Sequence, residues 1–479
     1  MTRLVFQLAG SVDTHDVPHI EISLEEPSVF GSNARPFQCT GTEPAFIGLR
    51  DARPRAGATK RAGKALFDEV SKHPHIASQL STALQTLPWG RYPVYVKLAT
   101  GEGIEALPWE AMCSGDGEFL SLDERWAIGR LVDSQAFRHS FWQFTPPLRI
   151  AAVLSCLDVP AAEEWNALES AIMDAPEIEA DVLVFVSEAD LYDELRTTKG
   201  RGSFGLRVEK VPRELWKLQQ MVREFKPNLL HFFCHGSAQD GPHIELAVRS
   251  DWIRNSSRSS VHVESSQFKD FFSATDELPW LTVLNSCETA AYSEGDNTQS
   301  LALSLVNKLG LPAVVGMREP VVSDDASIFT QAFYRRLLED LRERVLGGTR
   351  PGDPLDWAMM LVPARASIAE NHVAKHAEEH TKERTKQSLA GAFACTKEWT
   401  LPAIYMRPTQ ITFRLSSEAA GDAFGGGPPI EPPRLPESQT RLTIEALLGL
   451  LAHIPPGTPP EFREEAEEQL RELVDQLEE

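Results

Sequence analysis

The chain has 479 residues and a formal net charge of −22. This length corresponds to about three domains of ~150 residues and allows a substantial buried core. The negative charge disfavours binding to nucleic acid through phosphate contacts and to anionic membrane surfaces. We therefore expect a globular protein with no direct nucleic-acid partner and no membrane partner.

The six cysteines are scattered, with no CxxC pair and no zinc-finger spacing. Reduced thiols are the better interpretation, because a large core does not need disulfides. The N-terminal segment MTRLVFQLAG is too short an apolar run for a signal peptide, and no run reaches the ~18 apolar residues of a membrane helix. We expect a cytoplasmic protein without cofactor or metal.

Residues 1–147 predict a mixed α/β accessory region. The segments LVFQLAG, HIEISLEE and PVYVKLAT have the pattern of strands, and LFDEVSKHPHIASQLSTALQTL predicts one helix. The stretch DARPRAGATKRAG is typical of a loop. No set of catalytic residues is apparent in this region, whose role the sequence leaves open.

From residue 148 to about 415, short apolar strands alternate with helices. Examples are RIAAVLSC, ADVLVFVSEAD, NLLHFFCHG, LPWLTVLNSC and PAVVGM as strands, with WNALESAIMDA and SIFTQAFYRRLLEDL among the helices. This alternation predicts an α/β domain with a mostly parallel sheet flanked by helices on both faces.

The end of the chain predicts a linker and a small helical tail. Residues 416–439 contain the Gly/Pro run GGGPPIEPPRLP, and residues 440–479 contain two amphipathic segments joined by PPGTPP. The tail either docks on the body of the chain or forms an adaptor that binds a regulatory partner or self-associates. We expect deletion of residues 438–479 to leave the fold intact but impair recruitment or regulation.

Two predicted strands end in reactive residues. NLLHFFCHG ends in His235 and Gly236, and LTVLNSC ends in Cys287. Sites in an open parallel sheet form at the carboxyl ends of strands, and the separation of His235 from Cys287 matches the ~50 residues found in caspases. An imidazole beside a thiol raises the thiolate share, while the N–H groups of Gly236 and Cys287 could stabilise an oxyanion.

The strings HFFCHG and VLNSCETA closely resemble the CHAT family of caspase-like cysteine proteases. The resemblance covers about residues 100–407 and extends to LPWE at 107–110, GLPAVVG at 310–316, Asp325-Ala326 with the helix that follows, and WTLPAIY at 399–405. It implies a caspase-like fold in which His235 is the general base and Cys287 the nucleophile. A third member of a triad is not evident.

The resemblance also implies a partner and a biological setting. CHAT proteins commonly perform regulated, limited proteolysis of a dedicated protein partner in bacterial defence or stress systems, so the expected substrate is a protein encoded nearby. The tandem helical repeats usual in the family are absent, which leaves recruitment open. The alternative is a catalytically silent caspase-like scaffold or adaptor acting through its C-terminal helices.

Several residues near the predicted site have ordinary interpretations as well. Strand alternation places Cys234 on the opposite face from His235, as a core residue, and this disfavours a metal site formed with His231 and His243. Glu288, Asp324 and Asp325 are candidates for a pocket that favours Arg or Lys before the cut, or they are solvated loop charges. Asp240 and Glu245 carry the same ambiguity.

The segment after the nucleophile predicts regulation. Residues 288–297 are polar and contain Gly295, and helix signals begin only around Thr298, a favourable N-cap. A segment of this kind can become ordered on binding and complete a site. We expect the free protein to be weakly active until it is switched on.

Overall fold

The computed structural model describes most of the chain up to residue 415. The described residues are 3–12, 18–28, 33–39, 43–50, 57–85, 91–98, 103–135, 141–197, 204–238, 241–272, 278–291, 299–346, 355–379, 396–409 and 412–415. The predicted linker after residue 415 and the helical tail lie outside them.

Sixteen strands are present in the described part of the chain. They are β1 (Leu4–Val12), β2 (Pro18–Glu26), β3 (Arg35–Phe37), β4 (Val94–Leu98), β5 (Ile128–Val132), β6 (Phe141–Phe144), β7 (Leu148–Ser155), β8 (Ala180–Val186), β9 (Gly205–Lys210), β10 (Leu229–Ser237), β11 (His243–Leu246), β12 (Val261–Glu264), β13 (Leu281–Ser286), β14 (Ala313–Met317), β15 (Pro402–Met406) and β16 (Thr412–Leu415).

Eleven α-helices connect or cover these strands within the same described residues. They are α1 (Pro44–Arg50), α2 (Ala58–Val70), α3 (Pro74–Gln85), α4 (Ala162–Met173), α5 (Ala189–Thr197), α6 (Leu215–Phe225), α7 (Arg249–Arg254), α8 (Ser265–Phe268), α9 (Leu301–Leu309), α10 (Ser323–Leu346) and α11 (Trp357–Glu379).

One large sheet contains fourteen of the described strands. Its order is β3-β2-β1-β4-β5-β15-β14-β13-β10-β7-β8-β9, with β11 pairing to the end of β10 and β12 pairing to β11. From β14 to β9 all neighbouring strands are parallel. The predicted α/β class, with a mostly parallel sheet flanked by helices, is confirmed.

The direction of the strands reverses at β15. This strand runs antiparallel to β14 but parallel to β5, which in turn is parallel to β4. Strands from the predicted regions 1–147 and 148–415 therefore share one sheet, and residues Met1–Ala420 form one compact unit. The boundary near residue 147 separates two halves of this sheet rather than two folded bodies.

Both faces of the sheet are buried, as the continuous apolar runs of its strands predict. One core contains Val153, Phe232 and Leu284, whereas alternate residues such as Leu154 and Val283 belong to the core on the other face. Helices α4, α10 and α11 cover this second face. No helix among the described residues is both long and apolar enough to cross a membrane.

The prediction of one helix over LFDEVSKHPHIASQLSTALQTL is wrong, and so is that of a loop over all of DARPRAGATKRAG, because α2 already begins at Ala58. Helix α2 ends at Val70 and α3 begins at Pro74, so two helices occupy this segment. Proline lacks an N–H and clashes with the preceding turn inside a helix, but it is favoured at the first helical position. Pro74 therefore ends one helix and begins the next.

Candidate active site at the carboxyl edge of the sheet

His235 lies near the end of β10, and Cys287 directly follows β13, the neighbouring parallel strand. Strand β10 lies between β7 and β13, and Cys234 is in register with Ser155 on one side and Ser286 on the other. The residues that follow Ser155, Cys234 and Ser286 therefore lie at the same edge of the sheet. This brings Cys156, His235 and Cys287 to three adjacent strand ends, two of which the sequence identified.

Gly236 packs directly against the turn that carries Cys287. A Cβ atom at this position would lie 2.2 Å from the Cys287 carbonyl oxygen and 2.6 Å from Ser286 Oγ. No side chain fits at such distances, so glycine is required by the close approach of the two backbones. The end of β10 and the nucleophile turn are therefore in van der Waals contact.

The His235 ring has a defined hydrogen-bond partner that sequence reasoning missed. Its Nε2 lies 2.7 Å from the carbonyl oxygen of Leu157, in the segment after β7. A carbonyl oxygen only accepts hydrogen bonds, so Nε2 carries the proton and Nδ1 is the basic nitrogen of the neutral ring. Leu157 is far from His235 in sequence, and no local signal identifies a backbone carbonyl.

A second thiol also contacts His235. Cys156 Sγ lies 3.6 Å from His235 Nε2, yet this side chain is buried, whereas Cys287 is partly exposed. Burial, with smaller contributions from the charges of Cys287 and Glu188, raises the pKa of Cys156 to about 12. Cys156 thus stays a protonated thiol near neutral pH, and of the two Cys287 is the one accessible to a substrate.

The turn after Cys287 is held by buried hydrogen bonds. Glu288 adopts a left-handed conformation (φ 56°), and its carboxylate accepts from the Ala238 N–H at 3.3 Å. Thr289 is buried, its Oγ1 accepts from Met317 N–H at 3.1 Å, and its carbonyl accepts from Ala302 N–H at 3.0 Å. The nucleophile turn is thereby tied to both β14 and α9.

Helix α9 begins at Leu301, close to Thr298, around which the sequence places the first helix signals. Its N-cap is Ser300, whose hydroxyl accepts from Leu303 N–H at 3.1 Å, two residues after the candidate N-cap Thr298, which lies outside the described residues. Serine and threonine are both good N-caps, which is why the pattern alone did not separate them. Residues 292–297 of the predicted regulatory segment also lie outside the described residues.

A family model of the CHAT domain matches residues 60–347. The chain belongs to the CHAT family, a family of domains related to caspase-like cysteine peptidases. The resemblance inferred from HFFCHG and VLNSCETA is thereby confirmed. No curated protein matches the chain significantly.

Directly below the strand ends of this CHAT domain lies a buried polar network. Glu164 Oε1 on α4 accepts from Asn285 Nδ2 at 2.8 Å and from Thr330 Oγ1 at 2.5 Å, and lies 2.9 Å from His231 Nε2. The Tyr334 hydroxyl is within 3.2 Å of His231 Nδ1. Because Asn285 and His231 precede Cys287 and His235 on the same strands, the network fixes both strands to α4 and α10.

Two of the predicted pocket acids have partners on α11. Asp325 is buried, with Oδ2 2.8 Å from His372 Nε2, and Asp324 Oδ2 is 3.0 Å from Lys375 Nζ. The hydrogen bond to Asp325, opposed by burial, raises the pKa of His372. Neither carboxylate has a described contact with His235 or Cys287, whereas Glu288 adjoins the nucleophile.

The LPWE motif is structural in this CHAT domain. Glu110 is fully buried and forms a bidentate ion pair with Arg130 of β5, with Nε–Oε1 and Nη2–Oε2 distances of 2.8 and 2.7 Å. Arg130 Nη1 also donates to the Tyr405 hydroxyl on β15. Burial is the largest influence and would raise the pKa of Glu110, but the charge and hydrogen bonds of Arg130, with the charges of Arg318 and Arg365, together lower that pKa.

The remaining candidates near the site are accounted for by packing. Cys234 is buried in the core that contains Phe232 and Leu284, on the face predicted by strand alternation. Among the described residues, no group of three or more His, Cys, Asp or Glu side chains is placed to hold a metal ion. The five described cysteines are all free thiols.

Proposed function

We propose that the chain is a cysteine endopeptidase in which Cys287 is the nucleophile and His235 the general base. The observation that carries this proposal is the contact of the His235-Gly236 strand end with the Cys287 turn, at distances that only glycine tolerates. The imidazole at this contact is oriented by the Leu157 carbonyl. The family membership supports the same chemistry.

The position of the proton on the His235 ring gives each of its two nitrogens a role. With Nε2–H donated to Leu157, His235 Nδ1 accepts the proton of the Cys287 thiol, and the thiolate attacks the substrate carbonyl carbon. The backbone N–H groups of Gly236 and Cys287 stabilise the resulting oxyanion. The imidazolium then returns the proton to the leaving amine as the C–N bond breaks, which leaves a thioester.

Deacylation uses the same two side chains, with water as the nucleophile and Cys287 as the leaving group. His235 Nδ1 removes a proton from water while the hydroxide attacks the thioester carbonyl, and the Cys287 sulfur leaves and takes up that proton. The Leu157 carbonyl stays hydrogen-bonded to Nε2–H throughout and stabilises the imidazolium. Leu157 is therefore a positioning residue, through a backbone atom that side-chain substitution does not remove.

The proposed substrate is a dedicated protein partner, cut at a limited number of sites in a bacterial defence or stress response in the cytoplasm. Because Asp324 and Asp325 are paired with α11, Glu288 is the predicted pocket acid that adjoins the nucleophile without a described cationic partner. A preference for Arg or Lys before the scissile bond would arise from ion pairing to Glu288.

The test is cleavage of candidate partners encoded beside the gene. We expect wild-type protein, with its activating partner, to cut one of them at a defined bond, and Cys287→Ala and His235→Ala each to abolish the cut. The double variant should be little worse than either single variant, because the two residues act as a unit. Full cleavage by Cys287→Ala would exclude the proposal.

A silent scaffold is the second candidate, and one observation favours it. The described hydrogen-bond partners of His235 are Leu157 and Cys156, and none involves Cys287. Catalytic hydrogen bonds are often long before substrate binds, so the peptidase remains the first candidate. A scaffold would act through residues 440–479 and would keep its cellular effect in Cys287→Ala, whereas the peptidase would lose it.

A further inference from the structure

A pocket of about 270 Å³ opens where the segment after β9 faces the start of α7. None of its lining residues belongs to the proposed catalytic set. The pocket is formed by two short segments of chain, and its lining residues are Lys210, Val211, Arg213, Val248, Arg249, Ser250 and Ile253.

Three cations line this pocket, although the whole chain carries a charge of −22. Lys210, Arg213 and Arg249 are exposed, and none is within ion-pair distance of a carboxylate among the described residues. Lys210 Nζ lies 4.9 Å from the Tyr192 ring centroid, a contact that leaves its charge uncompensated. Together they form a local positive charge that attracts anions.

Asp251, two residues after Arg249, is directed away from the pocket cations. Asp251 is fully buried, and its carboxylate accepts from Val248 N–H at 3.0 Å, Ser259 N–H at 2.9 Å and Ser260 Oγ at 3.1 Å. These bonds fix the chain on both sides of α7. They also satisfy the carboxylate, which forms no described ion pair with Lys210, Arg213 or Arg249.

An unpaired buried hydroxyl also lines the pocket. Ser250 is 8% exposed, and its Oγ is buried without a hydrogen-bond partner among the described residues. An unsatisfied buried hydroxyl is costly, and such groups usually have a partner. A ligand oxygen inside the pocket would supply it.

We propose that this pocket binds a small molecule that carries a phosphate group. Guanidinium and ammonium groups around a buried hydroxyl match the oxygens of a phosphate, which accept charge-assisted hydrogen bonds from them. Val211, Val248 and the 76%-exposed Ile253 provide an apolar wall for the sugar or base of a nucleotide. The small volume favours such a ligand over an acidic polypeptide segment.

Hydrogen bonds connect the pocket to the segment that orients His235. Val248 follows Ala247, whose N–H donates to the Ser155 carbonyl at 3.3 Å and whose carbonyl accepts from Ser155 Oγ at 2.6 Å. Ser155 in turn precedes Cys156 and Leu157. Binding itself does not depend on the proposed peptidase activity and is measured without it.

Calorimetric titration of the full chain with sodium pyrophosphate and with AMP, at an ionic strength fixed with NaCl, tests the proposal. We expect saturable binding of at least one of them. The double variant Arg213→Ala/Arg249→Ala should bind at least about tenfold more weakly, since each lost charge-assisted bond has an effect of that order. Ser250→Ala should bind several-fold more weakly.

Arg254→Ala is the matched control, because Arg254 is an exposed arginine of α7 that does not line the pocket. Its affinity should equal that of the wild type, and thermal melting should verify that all variants are folded. Absence of saturable binding, or equal affinity of the wild type and the double variant, would overturn the proposal. Binding of an acidic peptide with both phosphates silent would also overturn it.

Discussion

The two halves of the large sheet place their polar residues in opposite environments. In the N-terminal half, Arg130 of β5 is fully buried, and its guanidinium donates to Glu110 and to the Glu105 carbonyl. In the other half, His235 and Cys287 are partly exposed at strand ends. A buried charge cannot lose its partner without destabilising the fold, whereas a partly exposed imidazole and thiol remain available for chemistry.

Two motifs of the same family have different roles in the two halves of the sheet. LPWE and NSCET are both part of the resemblance to CHAT domains, yet Glu110 is fully buried in an ion pair and Cys287 is not. Substitutions in the first half should therefore act on stability, and those at the strand ends of the second half on activity. The following predictions separate these effects.

The largest stability effect is expected for Glu110→Ala. Removal of one partner leaves the Arg130 charge buried and uncompensated, which costs about 3–5 kcal/mol. The measurement is the free energy of unfolding by chemical denaturation. The exposed Glu118→Ala in the same region is the control and should change the free energy by about 0.5 kcal/mol or less.

The loss of stability in Glu110→Ala should depend on pH. The pKa of Glu110 is lowered in the folded state, so the ion pair stabilises the fold above the unfolded pKa and this contribution is lost as pH falls through the folded value. The deficit of Glu110→Ala should therefore shrink in acid. A deficit equal to that of Glu118→Ala at neutral pH would contradict the structural role.

A smaller effect is expected where the buried polar network meets the catalytic strand. Asn285→Ala removes the donor to Glu164 and should cost about 1–3 kcal/mol. The control is Thr282→Val on the same strand, because Thr282 is buried and its hydroxyl has no described partner. The variant should stay folded, since the rest of the network remains.

Asn285→Ala also tests positioning, because Asn285 precedes Cys287 on β13. We expect slower alkylation of Cys287 in this variant than in Thr282→Val, measured by mass spectrometry on folded protein. Equal alkylation rates with equal stability would mean that the network is not needed to position the nucleophile.

The smallest effect concerns the contact between α10 and α11. His372 lies 2.8 Å from Asp325 and 3.8 Å from Glu398, and its pKa is raised. A raised folded pKa stabilises the protein below the unfolded value of ~6.5, and this contribution is lost as pH rises through the folded pKa. For a partly solvated pair we expect about 0.5–1 kcal/mol.

The measurement compares melting of wild type and His372→Gln at pH 5.5 and pH 8.5. The wild type should be the more stable protein in acid, and the difference should shrink at pH 8.5. His75→Gln, at an exposed histidine of α3, should show no such trend. A difference that grows with pH would contradict the assigned sign.

Much of the fold could be predicted from the sequence because its strands are buried on both faces. Segments such as RIAAVLSC and NLLHFFCHG are continuous apolar runs, and they became β7 and β10. No strand was predicted for β9, whose residues are mostly exposed and polar, nor for the short β11–β12 pair. Long-range packing, rather than a local apolar pattern, forms these strands.

The site was predicted only where the reactive groups are side chains at strand ends. His235 and Cys287 follow apolar runs that the sequence displays, but the Leu157 carbonyl and the Cys156 thiol reach His235 through the fold, across 78 and 79 positions of chain. The pairing of Asp325 with His372 is equally non-local. No periodicity or motif encodes such contacts.

The reactivity of Cys287 tests the central claim most directly. Full-length protein is exposed briefly to iodoacetamide at neutral pH, and the modified cysteines are identified by mass spectrometry in the wild type, in His235→Ala and in Cys156→Ala. The account predicts that Cys287 is alkylated much faster than buried Cys156, that His235→Ala slows it strongly, and that Cys156→Ala leaves it nearly unchanged. Alkylation of Cys287 at the same rate with and without His235 would contradict the account.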